Sequence, residues 1–281
     1  MNDKKGFILK RTGRLVYLQA PLLAEDELTK HAFSTRTGGC SIGAVRSLNT
    51  AFHTEDQAEK VLENRFRFFR IFKIDHLQIV SAIQVHGTNL EEFGLHNRGE
   101  GATPGSMKKH CDAMVTAEPE VTLTAYAADC QLLFFKAIDR PLIGLAHAGK
   151  AGTLGAVGPK VIRYLNQHYN VPSDRLLVGM GPAICRKCYR ISKPEMELFS
   201  REGWGDKQYL EKYDQDLWSL DLTAINKAQL ISSGVRKEHI AINHWCTACR
   251  QDLFYSYRRD RGKTGRMIGF IAINGKETGD L

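Results

Sequence analysis

The sequence predicts a mixed α/β fold, a β-sheet with flanking helices in a single domain spanning residues 1–281. Short apolar runs rich in β-branched and aromatic residues alternate with helical patterns. No Pro-, Gly- or Ser-rich linker, internal repeat or low-complexity segment divides the chain. At 281 residues and 43% hydrophobic content it can bury a substantial core as one unit.

The elements follow in order. The N-terminal "MNDKKGFILKRTGRL" is charged throughout and holds no apolar run long enough for a signal peptide or a membrane span, so the expected location is the cytoplasm. At Thr54, "TEDQ" reads as a capping box with Gln57 that opens a helix. Ala58, Val61, Leu62, Arg65, Phe69 and Phe72 then share one face, with Arg65 at its edge. "LQIVSAIQVHG" reads as a strand ending in His86 and Gly87, and "VTLTAYAADC", "QLLFF" and "PLIGLAHAG" as three further strands. A helix is expected from Leu154 to His168, with Pro159 in its first turns. A strand at "LLVGMG", helices near Pro194–Arg201 and Leu220–Ser232, and strands at "HIAINHW" and "GRMIGFIAI" complete the alternation.

His86, Cys130 and His147 each end an apolar run beside a small residue. If those strand ends are neighbours, two imidazoles and a thiolate surround an open fourth position, the ligand count of a catalytic zinc site. The residues leave two other readings open: packed, hydrogen-bonded strand-end side chains, and a Cys130–His147 nucleophile pair without metal.

The chain carries 39 Lys and Arg against 31 Asp and Glu, a formal net charge of +8. Only "YRRDRGKTGR", Tyr257 to Arg266, concentrates the cations. With no zinc-finger, RNA-recognition or helix-turn-helix pattern beside it, that run reads as a solvated face or a local anion site, and nucleic acid is not expected as a partner.

"STRTGGCS" with Leu48 and Asn49, "ENR", "QVHG", "CDAMVT", "ADC", "GLAHAG", "GPAI" with "CY", and "CTAC" with "FYSYRRDRGKTGRM" occur in the order found in one family. In that ordered set the chain resembles the purine nucleoside phosphorylases of the YfiH/YlmD-like type, long described as multicopper polyphenol oxidases or laccase-domain proteins. The resemblance spans nearly the whole chain. It implies a YfiH-like α/β domain related in architecture to a toxin-type cysteine-histidine hydrolase. It also implies one zinc ion on His86, Cys130 and His147, and cleavage of adenosine, inosine and methylthioadenosine by phosphate, with adenosine deamination as a further activity. The expected partners are therefore purine nucleosides and phosphate.

In that frame Arg36 is expected to hold an anion, with Gly38 and Gly39 allowing close backbone approach, and Asn49 to meet a ribose or base edge. The family continues "HAG" with tryptophan and arginine. Here Lys150 and Ala151 follow, and Lys150 is expected to offer the anion a single charge where the family has a planar fork. The family's "GD" after the helix-capping histidine is also replaced, by "HTED" at His53 to Asp56. Three other functions stand beside the zinc phosphorylase: a copper-dependent polyphenol oxidase, which needs more histidine ligands than these three; a metal-independent Cys130–His147 hydrolase; and a binding protein with a decayed site.

Seven cysteines, an odd number in an expected reducing compartment, read as ligands, nucleophiles or packing residues before they read as disulfides. Cys185 and Cys188 in "CRKC" and Cys246 and Cys249 in "CTAC" form two Cys-x-x-Cys pairs. They are able to complete a four-thiolate structural zinc, although the pairs are further apart than in a usual zinc ribbon and the family has adjacent cysteines at the first. A packed cluster of free thiols is the expectation from sequence.

Overall fold

The computed structural model describes residues 6–25 and 28–274. Its strands in chain order are β1 (Ile8–Thr12), β2 (Leu15–Gln19), β3 (Thr29–Ser34), β4 (Ile79–Ser81), β5 (Leu90–Glu92), β6 (Ala113–Thr116), β7 (Thr122–Ala127) and β8 (Gln131–Ala137). These are followed by β9 (Ile143–Ala148), β10 (Leu176–Met180), β11 (Arg190–Ser192), β12 (Leu210–Lys212), β13 (Leu217–Leu220), β14 (Ile240–Ile242) and β15 (Met267–Ile273). The α-helices are α1 (Pro21–Ala24), α2 (Ala58–Arg70), α3 (Lys150–Leu154), α4 (Val157–Tyr169), α5 (Lys193–Phe199) and α6 (Leu222–Ser232).

The fold is mixed α/β as expected, but the strands divide among three sheets. One has the order β1-β2-β3-β15-β7-β4, the second β14-β10-β8-β9-β6-β5, and a small third β11-β13-β12. The two large sheets face each other. Leu18, Phe33, Leu123 and Ile271 of the first share a core with Leu132, Phe134 and Leu145 of the second.

Helices close the outer faces. Phe68 and Phe69 of α2 pack on Ala32, Ile268 and Phe270 of the first sheet. Val157, Val161 and Leu165 of α4 and Leu230 of α6 pack on Leu133, Phe135, Ala146 and Val178 of the second. Along β8, Leu132 and Phe134 point between the sheets while Leu133 and Phe135 point to the helices. Both faces are buried, so "QLLFF" has no polar alternation. Full burial of a phenylalanine such as Phe134 or Phe135 stabilises the fold by about 1.5–3 kcal/mol.

Several boundaries differ from the sequence expectation. Helix α2 starts at Ala58, and its N-cap is Gln57 without a side-chain cap. The Thr54 hydroxyl instead donates to the Ala51 carbonyl at 2.9 Å and accepts from the Asn49 amide at 2.8 Å. The helix expected at Leu154 is divided: α3 ends at Leu154, Ala156 takes a left-handed φ of 56°, and α4 restarts with Pro159 in its first turn.

Arg65 is no edge residue. It is 3% exposed, and its guanidinium donates to the Thr50 carbonyl at 2.7 Å, the Tyr126 hydroxyl at 2.5 Å and the Gly101 carbonyl. It also lies 4.1 Å from the centre of the Phe52 ring. A buried cation is tolerated there because its donors find acceptors in a fixed fork.

Candidate metal centre

Strands β8 and β9 pair antiparallel, with Gln131 opposite Ala148 and Leu132 opposite His147. This register brings the residue before β8, Cys130, alongside Gly149 at the end of β9. A Cβ on Gly149 would stand 2.7 Å from Cys130 Sγ and 3.5 Å from His86 Nδ1, so only glycine lets the two groups close over this backbone.

His86 does not end a strand. β4 stops at Ser81, and His86 sits in the following loop with a left-handed φ of 58°. A non-glycine residue in that region needs surroundings that hold it there. Asp112, immediately before β6, supplies them. Its carboxylate accepts the backbone N–H of Val85 at 3.2 Å, His86 at 3.1 Å and Gly87 at 2.6 Å.

The same carboxylate lies 2.8 Å from Nδ1 of buried His147. It thereby fixes Nδ1 as the protonated nitrogen and leaves Nε2 for a ligand. Burial works to raise Asp112, but the His147 hydrogen bond and the Gly87 N–H outweigh it and lower it.

His86, Cys130 and His147 converge, with one ligand atom from each lying within 4.8 Å of the others. The two rings are 4.9 Å apart at their centroids and tilted by 61°. Burial alone would raise the Cys130 thiol, but the His147 and His86 rings prevail and hold it down to about 6. Burial works to lower His147, and the Cys130 charge with the Asp112 hydrogen bond outweighs it and raises it to about 9. Without metal the pair is thus a thiolate beside an imidazolium; the thiolate is the form in which cysteine binds metal, and a metal on His147 Nε2 takes the place of that nitrogen's proton. A soft thiolate, two imidazoles, a carboxylate orienting one of them and an open side fit a catalytic zinc ion.

The open side faces a cleft of about 440 Å³ whose walls include His53, Tyr126, Tyr189, Tyr257, Arg258 and Arg266. Arg258 lies 4.8 Å from the centre of the Tyr189 ring, and Arg266 lies 5.4 Å from that of Tyr257. The Arg258 backbone N–H donates to Asp129 Oδ2 at 2.7 Å, and the Thr247 hydroxyl donates to Asp129 Oδ1 at 2.6 Å. Asp129, next to Cys130, is itself left-handed at φ 89°. Burial, with the charges of Arg266 and Arg65, holds His53 neutral by lowering it to about 4.

Arg36, Asn49 and Lys150, the other site residues expected from sequence, are not among the residues that line this cleft. Arg36 Nε and Nη2 donate to the Arg46 carbonyl at 3.0 and 2.7 Å, and its guanidinium lies 4.7 Å from the centre of the Tyr255 ring. The space at Gly38 and Gly39 is taken by the chain itself: added Cβ atoms would meet Arg14 O at 2.5 Å and Ser47 O at 2.1 Å. Asn49 is wholly buried, and its Oδ1 accepts the Arg266 N–H at 3.0 Å, so it braces a cleft residue from behind. The Lys150 ammonium, in the first turn of α3, pairs with Glu195.

Reading the sequence missed Asp112 and the individual cleft residues. The signal for Asp112 was a lone acid directly before the apolar run "AMVT". Arg258 and Arg266 lie inside the basic run, one of whose two readings was a local anion site.

The family model for multi-copper polyphenol oxidoreductase laccase matches residues 30–274. Among curated relatives, purine nucleoside phosphorylase YlmD of Geobacillus stearothermophilus is 34% identical over 85% of this chain and 88% of its own length. A purine nucleoside phosphorylase of Deinococcus radiodurans is 33% identical over 94% of this chain and 95% of its own. The crystal structure of YlmD from Geobacillus stearothermophilus superposes with a TM-score of 0.89 at 30% identity, covering 96% of this chain and 100% of that one. Bacillus licheniformis hypothetical protein YfiH gives 0.87 at 27% identity, covering 94% and 98%. No described helix is long and apolar enough to cross a membrane.

Proposed function

Since this chain belongs to the multi-copper polyphenol oxidoreductase laccase family and has relatives named as purine nucleoside phosphorylases, we propose that it cleaves purine nucleosides with phosphate, using one zinc ion on His86, Cys130 and His147. The observation that carries this reading is the meeting of that three-ligand set with Arg258 and Arg266 in one cleft. Adenosine, inosine and methylthioadenosine are the substrates, and adenosine deamination is a second reaction of the same site.

Phosphorolysis forms a bond from a phosphate oxygen to the anomeric carbon as the bond to the purine nitrogen breaks. The products are the free base and a sugar 1-phosphate. Two guanidinium groups suit a phosphate dianion, because their planar forks match its oxygens and keep their charge at any working pH. Tyr189 and Tyr257, which line the cleft, offer aromatic surface for a purine ring. His53, held neutral, can donate or accept a proton at the departing base or the sugar. Zinc, when bound, supplies a Lewis acid that stabilises developing negative charge and makes water a better nucleophile. Asp112 keeps His147 in the tautomer and orientation that ligation needs.

The copper oxidase reading needs several metal centres rich in histidine. Among the described residues, two clusters could hold a metal, and one of them consists of four cysteines. Incubating the purified protein with adenosine, with and without phosphate, tests the proposal by its products. Adenine and ribose 1-phosphate that appear only with phosphate support it. Base release independent of phosphate, or oxidation of a phenol without nucleoside cleavage, overturns it.

A further inference from the structure

Away from the cleft's metal ligands, Cys185 and Cys188 meet Cys246 and Cys249, with all four Sγ atoms within 4.8 Å of one another. The intervening residues 189–245 carry three strands of the small sheet, β14 and two helices, so the two pairs come together only through the tertiary fold. The loops that bear them run side by side: Ala183 and Cys246 form a parallel bridge, and the Thr247 N–H donates to the Ala183 carbonyl at 3.2 Å.

Both pairs are wound into tight turns. The Cys188 and Tyr189 N–H groups donate to the Cys185 carbonyl at 2.9 and 3.0 Å, and the Arg250 N–H donates to the Cys246 carbonyl at 3.0 Å. The Cys185 N–H donates to Cys246 Sγ at 3.2 Å, a contact that favours a thiolate. Cys188 Sγ and Cys249 Sγ are 3.4 Å apart. Four sulfurs each about 2.3 Å from a central zinc lie roughly 3.8 Å from one another, which this cluster matches within small side-chain adjustments.

We propose that Cys185, Cys188, Cys246 and Cys249 hold a second, structural zinc ion that clamps loop 183–189 to loop 246–250. Four thiolates leave no open position, so the ion takes no part in chemistry. Its place in the fold gives it a task. Tyr189, the residue after Cys188, lines the cleft. The Ile184 N–H, one residue before Cys185, donates to the Asp129 carbonyl at 3.0 Å, and Thr247, one residue after Cys246, holds the Asp129 carboxylate. The clamp thus fastens, from behind, the wall that carries Asp129 beside Cys130. A cross-link between such distant segments also restricts the unfolded chain.

This inference is independent of the function proposed above, and its test needs no activity. Native mass spectrometry on the full chain, purified from zinc-supplemented cells, counts the bound ions. Cys130→Ala removes a ligand of the cleft site, and the expected variant keeps one zinc per chain. Cys188→Ser/Cys249→Ser is expected to lose that ion and to melt at a lower temperature. Should this double variant fail to fold, cobalt loaded into Cys130→Ala decides instead, with intense thiolate-to-cobalt charge-transfer absorption expected. Zinc-free Cys130→Ala whose four cysteines are readily alkylated, or a mass lower by four hydrogens from two disulfides, overturns the proposal.

Discussion

Asp112 Oδ1 stands 2.8 Å from His147 Nδ1, while both oxygens of the same carboxylate receive the N–H groups of the loop that presents His86. One side chain therefore positions two of the proposed metal ligands, which arrive from different parts of the chain. Asp112→Asn keeps the volume but removes the charge and replaces one acceptor by a donor. Zinc affinity should fall by roughly 10–100-fold, as for the loss of other carboxylates behind ligating histidines. Competition against a chelator measures this, and an unchanged affinity would remove Asp112 from the metal site.

The anion seat is proposed to lie with Arg258 and Arg266. Lys150, one of the two cations that the sequence offers for an anion, gives its ammonium to Glu195. Arg266→Met should raise the KM for phosphate roughly 10–100-fold while zinc content stays unchanged, consistent with about 1.5–3 kcal/mol for a hydrogen bond to a charged group. Lys150→Met should change that KM by less than about threefold, since a partly exposed ion pair is worth little. Steady-state kinetics over a range of phosphate concentrations decides, and the reverse ranking would return the anion to Lys150.

Acid stability follows from two histidines held neutral. Burial lowers His31 to about 3, helped by the charges of Lys136 and Lys10, and burial lowers His53 to about 4. In the unfolded chain both take up a proton near pH 6.5. Between that pH and the folded values the unfolded state binds more protons, so stability is present above about pH 6.5 and is lost as pH falls. Each histidine contributes a slope of up to about 1.4 kcal/mol per pH unit. The Nε2 of His31 accepts the Ala20 N–H at 2.9 Å, an acceptor that glutamine can supply. His31→Gln should flatten the decline of Tm between pH 6.5 and 4.5, and an identical decline in the variant would contradict the assignment.

Arg65 offers a test of the fold. Arg65→Met leaves the Thr50 and Gly101 carbonyls and the Tyr126 hydroxyl without their buried donor. The expected loss is about 2–4 kcal/mol, and Arg65→Lys should recover less than half of it, because one ammonium cannot reproduce the fork. Urea unfolding of the three proteins measures this, and a neutral Arg65→Met would show that those acceptors find water.

What was legible from the residues follows from which signals are local. Apolar runs reveal β8 and β9, and with them the place of His147, because burial of both faces is written in consecutive residues; Cys130 reads as the end of the strand before it, but β7 stops at Ala127 and Cys130 stands in the turn that leads into β8. The partners of Arg65 lie in other segments, so period alone set it at the edge of a stripe. His86 reads as a strand end because its neighbours are β-branched, yet its left-handed backbone is imposed by Asp112 from another part of the chain. Asn49 and Arg36 sit in a conspicuous motif, but Arg36 donates to the Arg46 carbonyl, and Asn49 bonds the Arg266 N–H and the side chains of Thr54 and Asp56. The division of the strands into facing sheets depends on pairings between distant segments, such as β15 with β3 and β7.

Phosphorolysis is proposed to need an ion on His86, Cys130 and His147. Metal content and inosine cleavage, measured together on wild type and Cys130→Ala, decide this. The variant is expected to lose one zinc per chain and to release no hypoxanthine when phosphate is supplied. A variant that keeps the wild-type zinc content and cleaves inosine at the wild-type rate would contradict it.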